Sequence, residues 1–230
     1  MMKKIGLIGG MSWESTTLYY QWINREVQKR LGGLHSAKMV VTSVDFAEIE
    51  KMQSQGDWDL AAKVLADEAR ALESAGADCV VLCTNTMHKL AKEIEDAISI
   101  PFIHIAKATG EAILAEDISN IALLGTAFTM EQTFYKSRLE EMGIAVMIPD
   151  ERDRKIVHEI IYQELCRGII LESSKRAYCE IVEKLIAQGA KGIILGCTEI
   201  TMLIGDVKFP VSTFDTTHLH AMKAVDFALE

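Results

Sequence analysis

The amino-acid sequence predicts an α/β protein of two pseudo-symmetric domains, each a short parallel sheet flanked by helices. Two observations carry this reading. Apolar, β-branched runs alternate with segments of helical periodicity along the whole chain, as successive βαβ units do. The chain also repeats itself. The segment Gly76-Ala77-Asp78-Cys79-Val80-Val81-Leu82-Cys83-Thr84-Asn85-Thr86 lies without a gap over Gly189-Ala190-Lys191-Gly192-Ile193-Ile194-Leu195-Gly196-Cys197-Thr198-Glu199, 113 positions later. The Gly-Ala pairs coincide, the three aliphatics coincide, and Thr84 falls opposite Cys197. Ile5-Gly6-Leu7-Ile8-Gly9-Gly10 likewise resembles Ile121-Ala122-Leu123-Leu124-Gly125-Thr126, each followed by a helical pattern with a tyrosine, Tyr19 or Tyr135, at the matching place.

Taken in order, the first strand is expected at Lys4–Ile8. The opening Met1-Met2-Lys3-Lys4 has the look of a signal peptide, but its apolar part is short and runs into Trp13-Glu14, so a strand is the better reading. A helix follows over Glu14–Lys29, with Ser12 placed to cap it. Strands are expected at Met39–Val44, Cys79–Cys83 and Phe102–Ile105, with a helix over Trp58–Ser74. The second half reads as strands Ile121–Gly125, Ile144–Ile148, Gly192–Gly196 and Phe209–Val211. Its helices are Met130–Glu141, Asp153–Cys166 and Ser174–Gln188. The last helix, Thr216–Leu229, is expected to pack back on the first domain. These spans give residues 1–106 with 213–230 as the first domain and 107–212 as the second. A single eight-stranded sheet is the competing architecture.

Bulk properties narrow the function. The 230 residues carry a net charge of −9, which argues against a nucleic-acid surface or an anionic membrane as partner. It does not argue against a small acidic substrate, which a few local donors suffice to hold. No segment has the apolar length to span a bilayer. The five cysteines, at 79, 83, 166, 179 and 197, form an odd set without a CxxC pair, so reduced thiols in the cytoplasm are the expectation.

The repeated strands each end in a polar turn, and in a parallel sheet ligands bind at that carboxyl end. Duplication then places the Thr84 hydroxyl and the Cys197 thiol on opposite walls of one cleft between the domains, an arrangement suited to chemistry on two faces of one carbon. Successive strand residues point to opposite faces, so Cys83 does not take the place of Thr84. Gly9-Gly10-Met11-Ser12 lacks the spacing of a dinucleotide or P-loop fingerprint. Its backbone N–H groups suit a carboxylate, and Ser12 capping the next helix is the plainer reading.

Asn85-Thr86-Met87-His88 and Gly196-Cys197-Thr198-Glu199, with Ile8-Gly9-Gly10-Met11-Ser12 and Ser43-Val44-Asp45-Phe46, resemble the aspartate/glutamate racemase family along essentially the whole chain. That family racemises amino acids without pyridoxal phosphate, and its two signatures read Cys-Asn-Thr-Ala-His and Gly-Cys-Thr-Glu. One departure stands out: Thr84 occupies the place of the first catalytic cysteine, and Cys83 sits one residue early. The resemblance implies proton transfer at Cα of an acidic amino acid, with Cys197 as thiolate base and Thr84 as opposing relay. A cysteine has a reference pKa of about 8.5, and a helix N-terminus is expected to lower it.

By the same resemblance, Asn85, Thr86 and Thr198 bind the amino and α-carboxylate groups, with Met11 in the glycine turn beside them. Gln53 meets the side-chain carboxylate, and Arg167, thirty positions before Cys197, is the basic residue. Arg167 also reads simply as a helix C-terminal cation before Gly168. Glu199 either relays to Cys197 or sits in the first helical turn where the dipole favours it. His88 is a supporting partner, and His218 and His220 cap rather than bind metal. No cofactor and no metal are expected, and a homodimer is left open. The competing functions are a decarboxylase or isomerase of a related dicarboxylic acid, and a non-catalytic amino-acid-binding protein.

Overall fold

A computed structural model describes residues 2–230. They fall into two compact units: the residues up to Ile105 with His220–Glu230, and Ala106–Leu219. In chain order the first unit holds β1 (Ile5–Gly9), α1 (Trp13–Leu31), β2 (Met39–Ser43), α2 (Phe46–Gln55), α3 (Trp58–Ser74) and β3 (Cys79–Leu82). A 3-10 turn (Thr86–Leu90), α4 (Ala91–Glu95) and β4 (Phe102–Ile103) complete it. From α5 (Ile105–Leu114) the second unit runs through β5 (Asn120–Gly125), α6 (Ala127–Glu131), α7 (Thr133–Glu140), β6 (Ala145–Met147) and α8 (Glu151–Gln163). It continues with a 3-10 turn (Leu165–Arg167), α9 (Glu172–Ala187), β7 (Gly192–Gly196), α10 (Thr198–Ile204) and β8 (Ser212–Asp215). The last helix, α11 (Thr216–Leu229), starts in the second unit and ends in the first.

Each unit has its own four-stranded, all-parallel sheet, ordered β2-β1-β3-β4 and β6-β5-β7-β8. The competing single sheet is thereby ruled out. In both, the strand order turns back beside the first strand, so the crevice for a ligand lies at the carboxyl ends of β1 and β3, or of β5 and β7.

The inner strands are apolar throughout because both their faces are covered, whereas β2 at the edge is only partly buried. Side chains of β3 alternate between two cores. Val80 and Leu82 join Ile8, Leu65, Leu72 and Met87 on one face. Cys79, Val81 and Cys83 join Ile5, Leu7, Tyr19 and Ile23 on the other. That second face is closed by Ala221, Ala224, Val225 and Ala228, a stripe at helical spacing along α11. In the second unit Ile193 and Leu195 of β7 face a core with Val157, Tyr178 and Val182.

Local chemistry sets the ends. The Ser12 hydroxyl accepts from Ser15 N–H at 3.2 Å to start α1, and Asp45 Oδ1 accepts from Ala47 N–H at 3.0 Å to start α2. Gly56 ends α2 in the left-handed region at φ +77°. Gly10, at φ +93°, admits no side chain: a Cβ there would collide with the Val44 carbonyl oxygen and stand 2.7 Å from Val44 N. The turn after β1 is thus held against the end of β2.

Several spans differ from expectation. The eighth strand is Ser212–Asp215 rather than Phe209–Val211, because Pro210 has no N–H for the ladder and pairing with β7 begins after it. Residues 213–219 lie in the second unit, with β8 paired to β7, and the chain returns to the first at His220. Met130–Glu141 is two helices, separated by Gln132 in an extended conformation. Asp153–Cys166 stops as a helix at Gln163. Helix α2 escapes a periodicity reading because only Ile49 and Gln53 of its ten residues are buried. Among the described residues, no helix is long and apolar enough to cross a membrane.

Candidate functional site

In the first unit β3 ends at Leu82, and the next residues leave the sheet with the same alternation. Cys83 is fully buried in the core with Tyr19, and burial pushes its thiol far above the ordinary range. Thr84 is half-exposed, on the parity of Val80 and Leu82. Its backbone is fixed on both sides: its N–H donates to Leu82 O at 2.9 Å, and its carbonyl accepts from His88 Nδ1 at 2.7 Å. Asn85 and Thr86 follow, both buried, at the entrance to the 3-10 turn.

Two further pieces adjoin this turn. Gln53, buried on α2, donates from Nε2 to Met87 Sδ at 2.8 Å, while its Oε1 is buried without a hydrogen-bond partner. An orphaned buried acceptor costs about 1–3 kcal/mol and is relieved by any ligand donor that reaches it. Met11 belongs to the turn after β1. Its side chain is buried in the core with Ile8, Ile49 and Met87, so the turn can offer a ligand backbone but not this side chain. The Gly10 N–H is already donated to Thr16 Oγ1 at 2.9 Å.

In the second unit the turn after β7 presents Cys197, extended at φ −156° and acting as N-cap of α10. Thr198 is therefore the first helical residue. Its hydroxyl pairs with that of Thr217 at 2.9 Å, tying the start of α10 to the start of α11. Thr216 Oγ1 donates to Leu195 O at 3.0 Å and fixes the same end of β7. Asp215 Oδ1 accepts the backbone N–H groups of Thr217 and His218 at 2.9 and 3.1 Å, capping the start of α11.

The electrostatics of Cys197 run opposite to the sequence expectation. Its thiol donates to Glu199 Oε2 at 2.9 Å, and its pKa is pushed well above the usual thiol value, first by burial and then by the neighbouring Glu199 charge. Desolvation and an adjacent anion outweigh a helix of seven residues. The resting group is a thiol whose proton already has an acceptor. Arg167 is exposed at the end of its 3-10 turn, just before Gly168 at φ +71°. No hydrogen bond or ion pair ties it to Cys197, Thr198 or Glu199. Among the described residues no group of three His, Cys, Asp or Glu side chains is placed to hold a metal ion.

Behind the Thr84 turn His88, expected as a supporting partner, sits in a cluster of rings. His88 is packed against Phe102, His104 and His220, with ring centroids 5.4, 4.8 and 5.5 Å away. His220 Nδ1 accepts from the Tyr19 hydroxyl at 2.8 Å, and its Nε2 donates to Ile103 O at 2.5 Å. Only spacing across 132 residues of chain links His88 to His220, so no local pattern reveals the cluster.

Burial holds these rings neutral: His220 is lowered to about 4, and His88 lies well below the usual imidazole value, with His104 and His220 adding to the effect. The half-buried His158 of the second unit is lowered as well, by burial. The unfolded chain binds protons at these sites near pH 6.5, while the folded chain does not until the pH is much lower. Stability is therefore full above about pH 6.5 and is lost as the pH falls toward 4. His220 alone accounts for about 3 kcal/mol of that loss. Urea midpoints measured from pH 7.5 to 4.5 should fall steadily, and a flat profile would show that these histidines are charged in the fold.

Compared with known proteins, residues 8–224 match the family described as Asp/Glu/Hydantoin racemase. A crystal structure from Yersinia pestis, provisionally assigned as an Asp/Glu racemase, is 55% identical over the full length of both chains with a TM-score of 0.94. An aspartate racemase homologue from Pyrococcus horikoshii OT3 is 33% identical, also over the whole of both chains, with a TM-score of 0.84. The broad specificity amino-acid racemase RacX of Bacillus subtilis (strain 168) is 23% identical over 96% of each chain.

Proposed function

Since the chain belongs to the Asp/Glu/Hydantoin racemase family, we propose that it racemises an acidic amino acid, aspartate or glutamate, by proton transfer at Cα without a cofactor. Each unit contributes one proton-transfer group. The observation that carries this reading is the Cys197 thiol at the carboxyl end of β7, already hydrogen-bonded to the Glu199 carboxylate.

The chemistry follows from that pair. Cys197 rests protonated, and an arriving α-ammonium group adds a positive charge that favours the thiolate. Glu199 takes the thiol proton, and the thiolate then removes the Cα proton of the L-enantiomer. The resulting carbanion is stabilised by its own carboxylate as an enediolate, which hydrogen-bond donors of the turns hold. Thr84 delivers its hydroxyl proton to the opposite face, forming the new Cα–H bond, and water reprotonates the oxygen. Cys197 keeps the captured proton as its resting thiol, and Glu199 releases the proton it took to solvent, which balances the one that water gave to Thr84. Asn85, Thr86 and Thr198 hold the amino and α-carboxylate groups, and the orphaned Gln53 Oε1 suits an ammonium N–H better than a carboxylate. Arg167 supplies the cation for the side-chain carboxylate, and its exposed, unpaired guanidinium is available for it.

In heavy water, L-aspartate or L-glutamate should gain deuterium at Cα and yield the D-enantiomer on chiral chromatography. Absence of both uptake and inversion would leave only a binding protein. A second reading, decarboxylation of a related dicarboxylic acid, draws on the single thiol at the two turns, and carbon dioxide release from such acids would favour it.

A further inference from the structure

We infer that His88 is the positioning residue of the Thr84 face: it holds, through the Thr84 carbonyl, the hydroxyl that serves one side of the substrate carbon. The inference rests on the racemase reading above and adds to it a specific task for a buried imidazole outside the reacting pair.

The geometry fixes both the tautomer and the role. His88 Nε2 accepts the Ile105 N–H at 3.2 Å, so that nitrogen bears a lone pair. Burial keeps the ring neutral, and the single ring proton therefore sits on Nδ1, which donates to Thr84 O at 2.7 Å. The rest of the turn is held in the same way. Thr84 N–H donates to Leu82 O at 2.9 Å, and the Ser15 hydroxyl donates to Cys83 O at 3.3 Å. Cys83 N–H donates to Ile8 O at 2.9 Å. Every one of these other partners is backbone or a residue of the adjoining helix. Among the described residues His88 is the side chain that grips the residue 84 carbonyl, and so it sets the plane of the peptide that follows Thr84.

With both flanking peptides fixed, the Thr84 side chain keeps only rotation about its own χ1. A hydroxyl is a weak proton donor and acceptor, so its rate depends on alignment more than that of a thiol does. Phe102, His104 and His220 pack around the ring, with centroids 5.4, 4.8 and 5.5 Å away. Cys197 lies in the other unit, on a turn fixed by Thr198, Thr216 and Thr217. Loss of the His88 donor should therefore touch one face of the reaction and not the other.

Two substitutions separate the ring's nitrogens. His88→Asn keeps a donor near the Nδ1 position and loses the acceptor for Ile105. His88→Gln reaches toward Ile105 and loses the donor to Thr84. Cα deuterium uptake from the D-enantiomer begins at Thr84, and uptake from the L-enantiomer begins at Cys197. His88→Gln should lower D-uptake by about 10-fold or more while L-uptake stays within about 3-fold, and His88→Asn should restore D-uptake even with a lower melting temperature. Equal losses from both enantiomers, or an Asn variant as impaired as Gln, would overturn the assignment and leave His88 a packing residue. Wild-type protein that exchanges neither enantiomer would instead sink the racemase reading, and this inference with it. A measurement on the unaltered protein stands beside the variants. The nitrogen-15 shifts of His88 should report a neutral ring protonated at Nδ1 from pH 5 to 8, and an Nε2-protonated or charged ring would refute the proposal.

Discussion

Cys197→Ser should lower Cα exchange from an L-acidic amino acid by about 10³-fold while leaving the fold intact. The hydroxyl keeps the hydrogen bond to Glu199, but as a base it would have to lose a proton far less acidic than the thiol's. Burial and the Glu199 charge, which already push the thiol pKa up, weigh on an alkoxide more heavily still. Cys83→Ser is the matched control. Its side chain lies in the apolar core with Tyr19 and Ala221, so the cost is one of stability, about 1–3 kcal/mol, and the exchange rate should hold within about 3-fold. Rates from deuterium uptake and midpoints from urea unfolding give the comparison. A Cys83→Ser protein as inactive as Cys197→Ser would mean that the reacting pair is two cysteines and that Thr84 is a bystander.

Thr84→Cys should raise deuterium uptake from the D-enantiomer by about 10²-fold, since a thiol of reference pKa about 8.5 replaces an alcohol that hardly ionises. The wild type should then show a characteristic asymmetry. L-substrate loses its proton to Cys197 and often regains one there, so it exchanges faster than it inverts. D-substrate must first give its proton to Thr84, so its exchange and its inversion are both slow. Thermodynamics bounds the claim: the enantiomers are equal in free energy, so kcat/KM for inversion is the same in both directions. The asymmetry therefore lies in exchange without inversion. Equal, fast uptake from both enantiomers in the wild type would end the case for a weak Thr84 face, whatever Thr84→Cys does.

The sequence carried the fold well because its signals are local and doubled. Val80-Val81-Leu82 and Ile193-Ile194-Leu195 are unbroken apolar runs, and such runs mark strands buried on both faces. The comparison of Thr84 with Cys197 needed only a gapless overlay of the two. What was misplaced depended on hydrogen bonding or on distance along the chain. Pro210 shifts the last strand by denying the ladder a donor. Met11 looked like part of a ligand turn, and only the core around Ile49 and Met87 shows that its side chain is used for packing. The state of Cys197 was read from its helix, whereas the Glu199 carboxylate and the loss of water decide it. His220 reads from the sequence as a cap, whereas it pairs with Tyr19 and Ile103, 201 and 117 residues away and beyond any local pattern.

The discontinuity of the first unit bears on how the chain is made. Residues up to Ile105 leave the ribosome first, yet the core around Ile5, Leu7, Tyr19 and Ile23 is completed by Ala221, Ala224, Val225 and Ala228 from the end of the chain. The second unit, Ala106–Leu219, is an uninterrupted stretch and has everything it needs before those alanines are synthesised. At ordinary elongation rates the earlier half waits for roughly ten seconds with that core incomplete. The half translated first is thus the half completed last.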